Sequence, residues 1–398
     1  MRYNGPVPAQ PMTAPPAVKI LVAPNALKGS LTAAEAAGAM ADGARQALPD
    51  AEIDACPVAD GGDGFAAVVA AALGAEPVTS TVTGPLGQPV NATWHYSATT
   101  GTALIEMAAA AGLALLDETQ RDPLRATSRG VGELLRAALD AGARHIVLGI
   151  GGSATTDGGM GMAAALGAVF RDGEGRPLDG NGAELDAIAS IDPEGLDPRL
   201  KDVHIDIASD VDNPLLGEHG AARIYAPQKG ATPTQVETLE AGLTHYAEHL
   251  EKIHGGPLRD IPGAGAAGGL GAGAMAFLGA DLKPGAEVVL DLLDFDARLE
   301  GVQLVLTAEG RLDAQTSHGK APAAVAKRAR AHGIPCIVIA GSLAADADTL
   351  EACGITAAFA LCNGPMTRDE AMNRARALLT AATRHVIATF AAGRGRTS

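Results

Sequence analysis

Aromatic side chains are nearly missing from this chain. Phe, Trp and Tyr make up 3 % of its 398 residues, too few for a platform on which nucleic-acid bases stack. Cations are scarce as well: 30 Lys and Arg stand against 46 Asp and Glu, for a net charge of −16. Such a surface repels nucleic acid and anionic membranes. It also obliges an anionic substrate to find a local basic pocket. The four cysteines, Cys56, Cys336, Cys353 and Cys362, form no Cys-x-x-Cys pair and sit in apolar stretches. They read as free buried thiols of a reducing, cytoplasmic compartment. No apolar run is long enough to span a bilayer. Residues 1–17 are rich in Pro and Ala, without a basic start and an apolar core, and read as a disordered tail rather than a signal peptide.

Several chemical signatures are missing too. The nearest approach to a Walker A loop, Ser317-His-Gly-Lys320, lacks the first glycine and the hydroxyl residue after the lysine. No His/Cys cluster has zinc spacing. Neither a Gly-x-Ser-x-Gly elbow nor a kinase His-Arg-Asp loop occurs.

Strands, helices and glycine are abundant. Val18–Ala23 and Glu52–Val58 read as buried strands, each followed by a loop and a helix (Leu31–Leu48, entered through Ser30 or Thr32, and Phe65–Leu73). This βαβα order belongs to parallel sheets covered by helices. Between Pro77 and Glu106 three strands joined by tight turns read as an antiparallel meander. Strands return at 304–307, 336–340 and 357–361. The fold class is therefore α/β. A Rossmann-like parallel-sheet domain is formed by 18–64 and 291–390, and a second α/β domain, 65–290, is inserted into it. The site then lies between them, at strand C-termini.

Two glycine-rich runs stand out. Gly149-Ile-Gly-Gly-Ser-Ala-Thr-Thr-Asp-Gly-Gly-Met-Gly161 lies between a strand and a helix. It can aim backbone N–H groups at an anion, or it can be a tight turn that packs a helix on a sheet. Gly263–Gly273 contains Gly-x-Gly-x-x-Gly, but no strand precedes it and no ribose-binding acid follows at a suitable distance. This counts against a dehydrogenase. Close packing of a small-residue helix is its other reading. Loops of this kind carry the rare cations Lys28, Lys229, Arg311 and Lys320 and the acids Asp60, Asp63, Asp157, Asp210, Glu309 and Asp313. Together these are the parts of phosphoryl transfer: carboxylates for magnesium, cations for phosphate, and a carboxylate near the acceptor hydroxyl.

Four motif groups carry a resemblance. They are Ala23-Pro-Asn-Ala-Leu-Lys-Gly-Ser-Leu-Thr32 with Ala59-Asp-Gly-Gly-Asp-Gly64; Gly151-Gly-Ser-Ala-Thr-Thr-Asp-Gly-Gly159; Ser209-Asp-Val-Asp-Asn-Pro-Leu-Leu-Gly217 with Ala226-Pro-Gln-Lys-Gly-Ala231; and Pro262–Gly271 with Glu309-Gly-Arg-Leu-Asp-Ala-Gln-Thr316 and Gly319-Lys320. In this order, over about residues 18–385, the chain resembles the bacterial glycerate kinases of glycolate and glucarate breakdown. The resemblance implies phosphorylation of D-glycerate with ATP and Mg2+, mostly at the 2-hydroxyl, by two α/β domains around a cleft. It departs from the family at Asn25-Ala26-Leu27, where Asp-Ser-Phe is usual, and at Ala308, where glycine is usual. An amide is a neutral ligand, so Asn25 weakens any metal or substrate role of that position.

Candidate roles follow from residue chemistry. Lys28 meets phosphate or the glycerate carboxylate, and Arg311, with its planar fork, takes the carboxylate. Gly151, Gly152, Ser153, Thr155 and Thr156, together with Gly265, Gly268 and Gly269, cradle triphosphate or substrate. Lys229 and Lys320 neutralise phosphate. Asp210 and Asp313 serve as base or magnesium ligand, with Asp60 and Asp157 as further metal ligands. Product at the 3-hydroxyl and a sugar-acid or nucleotide sensor without turnover are the alternatives. Neither nucleic acid nor membrane is an expected partner, and the sequence leaves monomer and homodimer open.

Overall fold

The computed structural model describes residues 18–62, 64–313 and 320–394. The proposed tail 1–17, Asp63 and the stretch 314–319 lie outside them. The chain begins with β1 (Lys19–Val22) and β2 (Glu52–Ala55). It then makes β3 (Glu76–Thr83), β4 (Pro89–Ser97), β5 (Thr102–Glu106) and β6 (His145–Gly149). A small antiparallel pair follows, β7 (Val169–Arg171) and β8 (Ser190–Asp192). Next come β9 (His204–Ser209) and β10 (Asp281–Pro284), and last β11 (Leu304–Leu312), β12 (Cys336–Leu343) and β13 (Ala357–Ala360).

Two large sheets result. One has the order β13-β12-β11-β1-β2, and its recorded pairings are all parallel. Ile20, Leu21 and Val22 in β1 are fully buried, as a central parallel strand covered on both faces requires. The other has the order β10-β9-β6-β5-β4-β3. Its β3-β4-β5 part is the antiparallel meander, and β5, β6, β9 and β10 run parallel. The chain leaves the first sheet after β2 and returns to it at β11.

Small residues set the helix packing. The helix Ala33–Ala47 starts in a capping box, Thr32 with Glu35, which satisfies two end donors reciprocally. It lies on the helix Ala375–Arg394, where a Cβ on Gly43 would stand 2.3 Å from the Thr380 carbonyl oxygen. This pair covers one face of the first sheet, with Ile20, Val22 and Leu306 below it. The other face shares a continuous core with the second sheet. Leu21, Val305 and Val338 join Leu104, Val147 and Ala208 through the helices Phe65–Leu73 and Gly285–Leu292. The two sheets are thereby fixed so that the C-terminal ends of β1, β2 and β11 face those of β6 and β9.

The structure differs from the sequence reading in a few elements. The C-terminal helix, which the sequence predicts as one element over Glu370–Phe390, is two, Arg368–Asn373 and Ala375–Arg394. The β7–β8 pair and the helix Gly285–Leu292 were not legible, the strands being three residues long and the helix following Pro284. Among the described residues no helix is long and apolar enough to cross a membrane. Cys56, Cys336 and Cys353 are buried free thiols, while Cys362 is only half-buried and borders the cleft.

Candidate active site

Three carboxylates meet where the strand ends converge. Asp60 follows β2, and its Oδ1 accepts the Gly62 N–H at 3.3 Å. Its loop needs glycine at Gly61, where φ is +82° and a Cβ would lie 2.7 Å from the Gly285 Cα. Glu106 steadies the far end of the loop by accepting the N–H groups of Gly64 and Ala66 at 3.0 and 2.9 Å. Asp210 follows β9, and the nearby Gly285 N–H favours its charged form. Glu309 lies in β11, 8 % exposed, and its buried Oε2 has no hydrogen-bond partner among the described residues.

Their mutual field is plain. Burial in the cleft, then the charges of Asp60 and Glu309, push Asp210 up to about 7, against the Gly285 N–H and Lys28. Water reaches the Asp210 side chain, yet protein encloses it on both sides of the cleft. That is why it behaves as a desolvated acid despite its exposed area. Burial likewise pushes Glu309 up to about 7. Asp60 and Asp313 act in the same direction, while Lys320 and Lys28 oppose it. Asn25, 6 % exposed, contacts this group by its amide nitrogen, 3.4 Å from Asp60 Oδ2.

A raised carboxylate destabilises the metal-free fold at high pH. The contribution of Glu309 is fully favourable below its ordinary 4.5 and is lost as pH rises through about 7. Glu309→Gln therefore stabilises the metal-free protein at pH 8, by up to roughly 3 kcal/mol. Denaturant melts in chelator check this: the gain shrinks towards pH 4.5, and a loss of stability at pH 8 contradicts the electrostatic account.

Two cavities flank the carboxylates. The larger, about 600 Å³, is lined by Lys28, Asp60, Glu309, Arg311 and Lys320 and has an apolar end at Leu27, Leu361, Met366 and Met372. The smaller, about 340 Å³, is lined by Gly61, Gly62, Gly151, Gly152, Ser153, Asp210, Tyr225, Lys229 and Ala267. A wider groove of about 710 Å³ runs along Arg374 and, on the last helix, Arg376 and Arg384, but no carboxylate among the described residues lines it. A second polar cluster, His145, His204 and Asp206, lies towards the N-terminal ends of β6 and β9. There the Lys283 ammonium, 2.6 Å from Asp206 Oδ1, already supplies the counter-charge.

Several expected roles change in the structure. Asp157 does not line either cavity. It is fully buried, and its carboxylate accepts Ser128 N–H and Oγ–H at 2.7 Å each, Gly159 N–H at 3.1 Å and Gly161 N–H at 3.3 Å. It holds the turn and closes the start of the helix Met160–Leu166, so in place of a metal ligand it is a structural carboxylate. Thr155 and Thr156 are also fully buried and reach neither cavity; of the three hydroxyls only Ser153 lines the cleft. Gly265, Gly268 and Gly269 are contact glycines. A Cβ on Gly265 would lie 2.1 Å from the Pro214 carbonyl oxygen, and one on Gly269 2.9 Å from Leu215. The cleft wall in that run is made by Ala266 and Ala267 instead, and Ala267 is left-handed, with φ 54°. Asp313 lines neither cavity and pairs with Arg311 at 2.9 Å and Lys320 at 3.7 Å.

The Asp157 network carries its own test. Ser128 Oγ donates to Asp157 and accepts the Met162 N–H at 2.9 Å. Ser128→Ala leaves both buried partners short of a bond and costs about 2–3 kcal/mol. Urea unfolding measures it; a loss below about 0.5 kcal/mol contradicts the role.

The glycerate kinase family profile matches residues 20–391. The chain is 48 % identical over 377 residues to the glycerate 2-kinase of Escherichia coli K12, covering 94 % of this chain and 99 % of that one. It is 44 % identical to the glycerate kinase of Bacillus subtilis 168, covering 94 % and 98 %. A crystal structure of a Salmonella typhimurium LT2 protein that bears a glycerate kinase name superposes with a TM-score of 0.86 at 46 % identity, over 96 % of this chain and all of that one. By its sequence, its sheets and its cleft, this chain belongs to the glycerate kinase family.

Proposed function

We propose that this protein phosphorylates D-glycerate at the 2-hydroxyl, using ATP and Mg2+. The observation that carries this reading is the Asp60–Asp210–Glu309 cluster set between two cavities of unequal size. The larger has room for a nucleotide, and its cations suit phosphates. The smaller suits a three-carbon acid. The name of the Escherichia coli relative supports the 2-position.

The donor set fits a hard divalent cation. It offers carboxylate oxygens, and one buried Glu309 oxygen lacks a hydrogen-bond partner among the described residues. Asp60 and Glu309 would hold the ion. When bound, it neutralises phosphate oxygens and orients them for transfer. Lys28, Arg311 and Lys320 stabilise the charge that builds on the transferring group. Arg311 serves phosphate here rather than the acid's carboxylate, since it borders the larger cavity. Asp210, lining the smaller one, takes the proton of the acceptor hydroxyl. A carboxylate held near neutrality is a usable base at working pH. Free thiols and the proposed use of ATP support a cytoplasmic setting.

Phosphorus NMR of the protein with ATP, Mg2+ and D-glycerate tests the reading. A 2-phosphoglycerate resonance is expected. A 3-phosphoglycerate resonance overturns the position, and an unchanged ATP spectrum overturns the activity.

A further inference from the structure

A charged side chain lies buried at the floor of the smaller cavity. Lys229 is 2 % exposed, yet it lines that cavity. Its Nζ donates to Ser153 Oγ at 2.9 Å and to the Thr155 carbonyl oxygen at 2.6 Å. An ammonium has three hydrogens, so two bonds leave one for a ligand. Ser153, 9 % exposed, lines the same wall. The N–H groups of Gly151 and Gly152, also on this wall, donate to no protein group among the described residues.

The charges around Lys229 do not balance it. Asp157, in the loop beneath, is the charge that acts on it, and that carboxylate is already engaged by four donors. Tyr225 and Asp210 line the cavity from the helix Ala221–Tyr225 and from the end of β9. The Arg121 backbone packs against Gly230, and Tyr246, on the helix Pro233–His254, shares Asp157 as its charged neighbour. None of these gives the lysine an ion pair, and burial lowers it to about 7 against the opposing pull of the Asp157 charge. A buried cation without an ion-pair partner among the described residues, beside open donors in a cavity for a small molecule, is completed by an anion.

We propose that Lys229, Ser153 and the N–H groups of Gly151 and Gly152 form the subsite for the acceptor's carboxylate, and that Lys229 binds it in the ammonium form. This rests on the reading that the acid occupies the smaller cavity. The carboxylate supplies the missing counter-charge, so above neutral pH the acid binds together with a proton. The same contact selects α-hydroxy acids over neutral polyols.

Calorimetric titration of the protein with D-glycerate and with its neutral amide, D-glyceramide, tests this without requiring turnover. At pH 8, comparison of Tris with HEPES gives uptake of close to one proton per glycerate and none per glyceramide. Above pH 7 the glycerate Kd rises about tenfold per pH unit, while the glyceramide Kd stays level. Lys229→Met removes the proton uptake and weakens glycerate at least about thirtyfold, with glyceramide binding kept as proof of an intact cavity. Ser153→Ala weakens glycerate roughly fivefold and keeps the proton uptake. If Lys229→Met does not fold, the wild-type proton count decides. Equal uptake for acid and amide, or a pH-independent glycerate Kd, overturns the proposal. Inorganic phosphate that binds with the same uptake and excludes glycerate overturns it too, by placing a phosphoryl group there. Failure of the kinase reading shows separately, as absence of phosphoglycerate in the NMR experiment.

Discussion

Replacing Asp210 with Asn lowers kcat on glycerate by roughly 10³-fold, while the KM for ATP stays within a few-fold of wild type. The asymmetry follows from the site. Asp210 lines the acceptor cavity and Asp60 the nucleotide cavity, so the amide removes the proton acceptor without emptying the phosphate side. The amide preserves size and removes only a charge, so the fold is retained. Asp313→Asn is the control. Asp313 bridges Arg311 and Lys320 at the rim and lines neither cavity. Its loss loosens two phosphate-facing cations and appears mainly in the KM for ATP. Steady-state kinetics of both variants decide between the two aspartates. A larger kcat loss for Asp313→Asn reverses the assignment.

Gly268→Ala destabilises the protein by at least about 3 kcal/mol and raises the KM for glycerate. Two costs add. Gly268 has φ +69°, where an L side chain is strained by about 1–2 kcal/mol. Its Cβ would also lie 2.1 Å from the Thr155 carbonyl oxygen and 2.6 Å from the Thr156 Cα. The Thr155 carbonyl holds Lys229, so relief of the clash displaces the floor of the acceptor cavity. Gly74→Ala separates the two costs. Gly74 is left-handed as well, at φ +58°, but a Cβ there meets nothing within 4 Å, so it costs only about 1 kcal/mol and leaves KM unchanged. Thermal and urea unfolding with kinetics measure all three quantities. Equal destabilisation at the two positions contradicts the contact argument.

These two predictions mark where sequence reading succeeded and where it stopped. Alternating runs of strand and small-residue helix gave one parallel sheet shared by β1, β2, β11, β12 and β13, because most of these strands are rich in apolar residues and a helix follows each. The meander was legible from Gly-Pro and Gly turns. Asp60, Asp210 and Glu309 could be nominated, since each follows or ends a strand, but not grouped. They are far apart in sequence and meet only because Gly61 and Gly285 let two loops touch. Asp157 misled because a carboxylate in a glycine-rich turn looks the same whether it faces a metal or the turn's own N–H groups. Gly265, Gly268 and Gly269 misled for a related reason: glycine serves close backbone packing as well as phosphate approach. The Ser153–Lys229 contact spans two motifs that the sequence kept separate, and burial of that lysine had no local signal at all.

The central claim is that the acid and the nucleotide occupy different cavities with Asp60, Asp210 and Glu309 between them. A crystal structure with D-glycerate, Mg2+ and a non-hydrolysable ATP analogue tests it most directly. The account predicts glycerate in the smaller cavity with its 2-hydroxyl towards Asp210, triphosphate beside Lys28, Arg311 and Lys320, and metal at Asp60 and Glu309. Glycerate against Arg311 in the larger cavity, or metal at Asp157, would contradict it.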